Sequence, residues 1–194
     1  MSTFQFHPGN IPGLQLISPN YMEDSRGFFL KTFERNIFRQ NGIDTQGFEA
    51  FYTNSAKGTV RGLHFQRRYC QDKLVHVLCG AVYDVVVDLR KNSETFGQWE
   101  GFYLNAENRK LLYIPKGLAH GFLALEDHTL FSYLCGSQYD PQSDGGIFWN
   151  DPSLAIHWPV EQVEHLILSE KDAALPDMQK FLTQYGPLTT GDIL

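Results

Sequence analysis

Several residues of this sequence have the chemical types needed to move a proton beside a ketone. His64 lies in the motif RGLHFQ, His120 lies in IPKGLAHGF, and Lys73 begins the apolar stretch KLVHVL. Removing a proton next to a carbonyl requires a base whose pKa is near neutrality, which is typical of histidine. The enolate that forms requires a positive or hydrogen-donating group, such as a lysine.

A second acid and a carboxylate would complete this chemistry. Tyr133 and Tyr139 lie six residues apart in FSYLCGSQYD, and Lys171 precedes Asp172 in LSEKDA. A tyrosine suits the return of a proton to the opposite face of a substrate, and an aspartate behind a histidine would orient the ring and stabilise its charged form. Each residue also has an ordinary structural explanation, because tyrosines pack in cores and an aspartate before a helix caps it.

The spacing within RGLHFQ does not fit a regular half-buried strand. Side chains of a strand alternate between its faces, so Leu63 and Phe65 would share one face. Arg61 and His64, three residues apart, would point to opposite faces. We therefore expect this strand to contribute both faces, or a bend, to a specific site.

Short stretches rich in β-branched and aromatic residues recur along the chain between turn residues. The predicted strands are Leu14–Ser18, Phe28–Thr32, Phe48–Thr53, Val60–Gln66, Lys73–Cys79, Ala81–Leu89, Trp99–Leu104, Leu111–Ile114, His120–Ala124 and Thr129–Cys135. Only two helices are predicted, in FERNIFRQNG, with a stop at Asn41-Gly42, and in LPDMQKFLTQYG, which ends at Gly186. This pattern predicts an all-β sandwich or barrel with a few short helices.

The 194 residues are interpreted as one domain, with a core over about residues 10–175 and a helical tail over about residues 176–194. The net charge of −6 and the lack of a Lys/Arg run argue against a nucleic-acid partner. No apolar run approaches the roughly 20 residues that span a bilayer. The three cysteines show no paired spacing and the first residues show no signal pattern, so we expect a cytoplasmic protein.

Several longer stretches, in order over about residues 10–175, resemble the dTDP-4-dehydrorhamnose 3,5-epimerase family of nucleotide-sugar epimerases. They are DSRGFF, VRGLHFQ, KLVHVLCGAVYDVVVDLRKNSETFGQW, IPKGLAHGF, YLCGSQYDPQSDGGIFWNDP, IHWP and LSEKD. The resemblance implies a metal-free, cupin-like jelly-roll β-sandwich or barrel that forms a homodimer. It also implies epimerisation, without a cofactor, of the carbons that flank the keto group of an NDP-4-keto-6-deoxyhexose, in deoxysugar synthesis for a surface polysaccharide such as O-antigen.

The resemblance also implies a role for each candidate residue. His64 would be the base, Asp172 its partner and Tyr133 the general acid. Lys73 and His120 would hold the keto oxygen and the sugar. Arg61 would meet the diphosphate while His64 meets the sugar ring, and Tyr139 would stack on the nucleobase. The other implied substrate-binding residues are Arg26, Lys31, Tyr52, Asn54, Asp144 and Lys171.

Some positions depart from the family pattern, chiefly at the nucleotide end of the implied site. The family usually has a glutamate in place of Lys31 and of Asp144, a glutamine near Tyr52 and an arginine in place of His76. Thymine and uracil present an N3–H donor that suits a carboxylate, whereas cytosine presents an acceptor that suits an ammonium. If Lys31 contacts the base, a CDP-sugar is favoured over the dTDP-sugar of the family. Inversion at C3 alone, or at both C3 and C5, also stays open.

Three other functions are compatible with such a sandwich. A nucleotide-sugar 3,4-ketoisomerase is disfavoured by Tyr133 and by the SEKD motif. A sugar-nucleotide-binding module without turnover would leave the set His64, Lys73, Tyr133 and Asp172 unexplained. A metal-dependent cupin oxygenase requires two histidines one residue apart with a nearby carboxylate, and GLHFQ contains one histidine, so no metal site is expected.

Overall fold

The computed structural model describes residues 4–189. The strands are β1 (Gln5–Pro8), β2 (Gln15–Ser18), β3 (Asn20–Asp24), β4 (Gly27–Lys31), β5 (Glu49–Ser55), β6 (Val60–Gln66), β7 (Lys73–Cys79), β8 (Ala81–Asp88), β9 (Trp99–Asn105), β10 (Leu111–Ile114), β11 (Leu118–Ala124), β12 (Thr129–Cys135) and β13 (Asp144–Gly146). The helices are α1 (Arg35–Gln40), α2 (Glu170–Ala173), α3 (Met178–Tyr185) and a 3-10 helix, Val160–Gln162.

Two antiparallel sheets and a separate hairpin make up the strand architecture. The six-stranded sheet has the order β1-β2-β10-β7-β12-β5, and the five-stranded sheet has the order β13-β6-β11-β8-β9. Within residues 4–189, strands β3 and β4 pair only with each other. The prediction of an all-β sandwich with a few short helices is confirmed.

Apolar side chains from both sheets interlock to form the core of the sandwich. Val77 of β7, Val86 of β8 and Phe131 of β12 belong to this buried cluster. A second cluster covers the other face of the five-stranded sheet, where Trp158 packs against Tyr83 of β8 and Phe181 packs against Phe65 of β6. Strand β8 is therefore buried along all its residues, which explains why its sequence does not alternate between apolar and polar.

The strand predictions in the middle of the chain agree closely with the structure, and several elements near its ends were missed. Strands β6, β7, β10 and β12 have the predicted bounds. Strands β1, β3 and β13 were not predicted. The prediction of only two helices is wrong, because α2 and the 3-10 helix are also present. Both are too short to show a helical period.

Residues 190–194 of the predicted tail, and residues 1–3, lie outside the described residues.

An extra residue in β6 solves the spacing problem of RGLHFQ. His64 lies opposite His120, but Arg61 lies opposite Phe122, so three steps along β6 match two steps along β11. This bulge brings Arg61 and His64 to the same cavity. Gly62 adopts a φ of +123°, and a Cβ atom there would lie 2.5 Å from the Cα of Gly121. The expected bend is confirmed, and it requires glycine.

No helix among residues 4–189 is both long enough and apolar enough to cross a membrane.

Substitution of Gly62 tests whether the bulge depends on close backbone contact. Gly27→Ala is the matched control, because Gly27 has a φ of +118° but no atom within 4 Å of the place where a Cβ would lie. Both variants incur the conformational penalty of a positive φ, of about 1–3 kcal/mol. Gly62→Ala should lose about 1–3 kcal/mol more, because the added methyl overpacks the β6–β11 contact. Urea denaturation of the two variants would measure the difference, and equal losses would contradict this explanation.

Candidate active site

A cavity of about 280 Å³ lies among strands β5, β6, β7, β11 and β12. It brings together most of the predicted site residues, whose individual roles stay predictions. The cavity-lining residues from the predicted set are Arg61, His64, Lys73, His120, Tyr133, Tyr139, Asp144 and Lys171. The two sheets thus contribute facing walls, with β6 and β11 on one side and β7 and β12 on the other.

His64 and Asp172 form a hydrogen-bonded pair at one wall of the cavity. His64 Nε2 lies 2.6 Å from Asp172 Oδ1. An ionised carboxylate only accepts, so Nε2–H donates and Nδ1 is the nitrogen left for a substrate. Burial acts to raise the pKa of Asp172, but hydrogen bonds from His64 and Ser169 outweigh it and hold that pKa below its ordinary value. Asp172 is therefore a fixed negative charge behind the imidazole.

Helix α2 presents Asp172, although Asp172 does not cap it. Ser169 is the N-cap residue, and its hydroxyl accepts a hydrogen bond from the backbone N–H of Asp172 at 3.0 Å. The carboxylate of Asp172 is thereby left to pair with His64. The alternative explanation of Asp172 as a helix cap is wrong.

A second histidine–aspartate pair lies deeper in the same wall. His120 Nε2 lies 2.7 Å from Asp84 Oδ2, and both side chains are buried. Burial lowers the pKa of His120, and the neighbouring Asp84 offsets only part of that effect, so His120 is held neutral. Sequence reasoning missed Asp84 as a site residue. The signal was available, because an aspartate within a fully buried strand requires a partner.

The opposite wall carries Lys73 and Tyr133. Burial lowers the pKa of Lys73, an effect that Cys135 and Asp84 partly offset. Burial also raises the pKa of Tyr133 well above its ordinary value, so its phenol stays protonated. The cavity therefore has an imidazole on β6 and a protonated phenol on β12, one on each sheet, with an amine on β7, the strand next to β12.

The mouth of the cavity carries a network around one carboxylate. Asp144 Oδ2 accepts a hydrogen bond from the Tyr139 hydroxyl at 3.0 Å and forms an ion pair with Lys171 Nζ at 2.5 Å. Arg61 Nε donates to the hydroxyl of Ser55 at 3.3 Å. The cavity lining carries three basic side chains against one acidic side chain, so an anionic group is favoured here despite the negative charge of the whole chain.

Two predicted residues of β5 lie on the wrong face of the strand. Phe51 and Thr53 line the cavity, whereas Tyr52 and Asn54 point away from it. The face is set by the pairing of β5 with β12, in which Phe51 lies opposite Tyr133. Phe51, Thr53 and Gln71 are cavity residues that sequence reasoning missed.

Two other predicted residues also lie outside this cavity. Arg26, at the tip of the β3–β4 hairpin, pairs with Asp24 at 2.6 Å and has a side chain that is 87% exposed. Lys31 forms an ion pair with Glu34 at 2.8 Å. Within the single chain, neither side chain lines the cavity that holds His64.

Among residues 4–189, no three or more His, Cys, Asp or Glu side chains are grouped in a way that could hold a metal ion. Both cavity histidines have Nε2 hydrogen-bonded to a carboxylate.

The two antiparallel sheets and the cavity between them define a cupin-like sandwich. The family model described as dTDP-4-dehydrorhamnose 3,5-epimerase matches residues 8–180. The chain belongs to the dTDP-4-dehydrorhamnose 3,5-epimerase family, and it is a nucleotide-sugar epimerase.

Individual relatives support this assignment over most of the chain. The dTDP-4-dehydrorhamnose 3,5-epimerase of Methanothermobacter thermautotrophicus is 46% identical over 172 residues, which cover 89% of this chain and 93% of that protein. The Escherichia coli enzyme of the same name is 46% identical over 167 residues, which cover 85% of this chain and 89% of that protein.

Solved structures share the fold. A Legionella pneumophila dTDP-6-deoxy-D-glucose-3,5-epimerase in complex with dTDP-4-keto-L-rhamnose has a TM-score of 0.87 at 41% identity, over 91% of this chain and 93% of that chain. A 3'-monoepimerase from Streptomyces bikiniensis in complex with dTDP-quinovose has a TM-score of 0.88 at 33% identity, over 96% of this chain and 94% of that chain.

Replacement of Lys73 should change how stability depends on pH. Because burial lowers the pKa of Lys73, the unfolded chain binds more protons than the folded protein between that lowered pKa and about 10.4. The Lys73 contribution to the free energy of unfolding therefore rises with pH in this interval. We expect Lys73→Met to be more stable than wild type at neutral pH, with a gap that narrows as the pH approaches 10. Urea denaturation over a pH series would measure the gap.

The control is Lys57→Met, on the exposed turn between β5 and β6. Its stability should follow that of wild type across the series. The difference between proteins is the quantity to compare, because burial raises the pKa of Cys135 to about 11 and makes the stability of wild type fall as the pH rises toward that value. The Lys73 charge lowers the pKa of Cys135, so its removal in Lys73→Met raises that pKa further and also narrows the gap at high pH. A gap for Lys73→Met that widens with pH would contradict a lowered pKa of Lys73.

Proposed function

We propose that the protein epimerises a dTDP-4-keto-6-deoxyhexose by proton transfer between His64 and Tyr133, without a cofactor. The observation that carries this proposal is the placement of a carboxylate-paired histidine and a protonated tyrosine on facing sheets of one cavity. A sugar ring between the two walls would present opposite faces to the two groups. The ligand named for the Legionella relative, dTDP-4-keto-L-rhamnose, has the chemistry that this reaction requires.

In the first step, His64 Nδ1 takes the proton from a carbon next to the keto group. The electron pair of the broken C–H bond moves to the keto oxygen and gives an enolate. Lys73 stabilises the negative oxygen as a hydrogen-bond donor. His120, whose single N–H is directed to Asp84, would contact the sugar. Asp172 stabilises the imidazolium that forms on His64, since its charge lies 2.6 Å away.

In the second step, the Tyr133 hydroxyl gives its proton to the same carbon from the opposite face. The enolate electron pair forms the new C–H bond, and the configuration of the carbon is inverted. The phenolate then regains a proton from solvent while His64 releases the one it took. The enzyme thus returns to its starting state with one proton exchanged and no oxidant or reductant consumed.

We propose that both C3 and C5 are inverted. Both carbons flank the keto carbon, so the same base and acid serve each after a small shift of the ring. The relatives at 46% identity are named 3,5-epimerases, whereas the monoepimerase neighbour is 33% identical. Sequence similarity thus favours the double inversion.

We propose dTDP as the nucleotide. Arg61 and Lys171 would contact the diphosphate, and Tyr139 would stack on the base. The argument for a CDP-sugar depended on an available ammonium at Lys31, but that ammonium is paired with Glu34. Lys31 would have to break its ion pair with Glu34 to donate to a cytosine ring. A cytoplasmic role in supplying deoxysugar for a surface polysaccharide such as O-antigen fits the free cysteines, which suit a reducing compartment.

We propose that the working unit is a homodimer of single-domain chains, in which the β3–β4 hairpin reaches a second copy. The hairpin pairs with no other sheet and exposes Met22, Phe28 and Phe29, an apolar surface that an isolated hairpin would not sustain. Arg109 stacks on Phe28 and fixes the hairpin to its own chain. Arg26 at the hairpin tip can serve a substrate only in the cavity of a partner.

Solvent deuterium incorporation tests the reaction. In D2O with dTDP-4-keto-6-deoxyglucose, wild type should place label at C3 and C5, and with the CDP-sugar it should react far more slowly. His64→Asn should lose both exchange and inversion, and Tyr133→Phe should lose about 10²–10⁴-fold in inversion, as expected for removal of a general acid. NMR would locate the label.

The matched control for the histidine is His128→Asn, on the exposed turn before β12, where the positive φ of 54° suits asparagine. It should keep wild-type rates. Label at C3 alone would show a 3-epimerase, and faster reaction of the CDP-sugar would overturn the proposed nucleotide. No label with either sugar would overturn the proposed reaction.

Mixing two inactive variants tests the dimer. Arg26→Ala changes the hairpin, whereas His64→Asn changes the cavity. If the hairpin of one copy serves the cavity of the other, mixed dimers contain one site with neither lesion, and activity should return after exchange of subunits. The mixture would be assayed beside each variant alone, with sedimentation to verify dimers. A mixture as inactive as its components would argue that Arg26 does not act across an interface.

A further inference from the structure

The ring of Tyr133 is held by three aromatic neighbours. Phe51 lies parallel to it, with ring centroids 4.8 Å apart and an interplanar angle of 12°. Phe131 and His120 contact it edge-on at 5.0 Å and 5.9 Å. Aromatic contacts of these geometries are favourable and directional, so together they define the plane of the Tyr133 ring.

No hydrogen bond to the Tyr133 hydroxyl is found among residues 4–189. This distinguishes Tyr133 from His64, whose ring is fixed by the hydrogen bond to Asp172. The position of the phenol oxygen therefore depends on ring packing alone. A change in the neighbouring rings should therefore move the hydroxyl of Tyr133.

Phe51 differs from the other two neighbours of Tyr133. Phe131 and His120 are buried and are held by the core and by Asp84. Phe51 is 46% exposed, lies on the edge strand β5 and lines the cavity. It lies directly opposite Tyr133 in the β5–β12 register, so the parallel stack is a cross-strand pair. Phe51 thus covers a face of the Tyr133 ring that the buried core residues leave uncovered.

We propose that Phe51 is a positioning residue, which holds the Tyr133 hydroxyl where it can protonate the enolate from the face opposite His64. The inference rests on the function proposed above. Phe51 touches no proton in this scheme and acts through Tyr133. Phe51 thereby determines which fraction of the enolate is protonated with inversion at the carbon and which fraction returns to substrate.

The chemistry predicts a specific defect when the stack is lost. His64 still takes the substrate proton, and its half-exposed ring exchanges that proton with solvent. If the Tyr133 hydroxyl is misplaced, the imidazolium returns a solvent-derived proton to the same face, and the C–H bond re-forms with its original configuration. The product of this path is labelled but not inverted, so exchange and inversion separate.

The experiment compares exchange with inversion in D2O for Phe51→Ala and Phe51→Leu, using dTDP-4-keto-6-deoxyglucose. Phe51→Leu keeps most of the volume but removes the flat ring, so it decides the matter if the alanine variant does not fold. Inversion should fall by about 10- to 100-fold, the scale expected when a reacting group is misplaced. Exchange with retention should stay near the wild-type rate. Phe51→Tyr, which keeps the ring, should restore the wild-type ratio of inversion to exchange.

Phe48→Ala is the matched control, because Phe48 is an exposed phenylalanine just before β5 that does not line the cavity. It should leave both rates unchanged. A parallel fall of exchange and inversion in Phe51→Leu, an increase of KM with an unchanged ratio, or no change would each overturn the positioning role. An absence of exchange in wild type would instead overturn the proposed reaction, so the two failures are distinguishable.

Discussion

The hydrogen bond between His64 and Asp172 joins parts of the chain that lie 108 residues apart. Its geometry depends on how the chain from Ile167 to α3 is fixed to the sandwich. Backbone hydrogen bonds connect Val60 to Ile167 next to β6, and Ser169 caps α2. Beyond α2, Phe181 is buried against the five-stranded sheet. The segment from Ile167 to α3 therefore does more than cover a sheet, because it also places a carboxylate against the imidazole of His64.

The same arrangement occurs twice in one wall of the cavity. His64 and His120 face each other across β6 and β11, and each donates from Nε2 to an aspartate that comes from another element. The two histidines differ in how far solvent reaches their side chains. The side chain of His64 is 32% exposed, whereas that of His120 is 3% exposed and its pKa is lowered by burial. One imidazole can exchange protons with water, and the other is suited to a fixed hydrogen bond.

Features that depend on interactions between residues near each other in sequence were predicted well, whereas features that depend on contacts between distant parts of the chain were not. Strands β7 and β12 were predicted because local β-branched and aromatic patterns suffice to identify them. The face of Tyr52 was not predictable, since it is fixed by pairing with β12, about 80 positions away along the chain in the register Tyr52–Ser132. The ion pair of Lys31 with Glu34 was not predicted, although the two residues are near in sequence, because it depends on the course of the chain after β4. Most of the predicted cavity residues were singled out by residue type and motif, whereas the role predicted for each came from the family resemblance.

The location of Asp172 in α2 has a consequence for the newly made protein. A ribosome releases all thirteen strands before it releases this helix, since β13 ends at Gly146. The imidazole, the amine and the phenol of the cavity therefore leave the ribosome before the carboxylate of Asp172. Since domains generally fold as units, the hydrogen bond between His64 and Asp172 is among the last contacts around the cavity that a newly made chain can form.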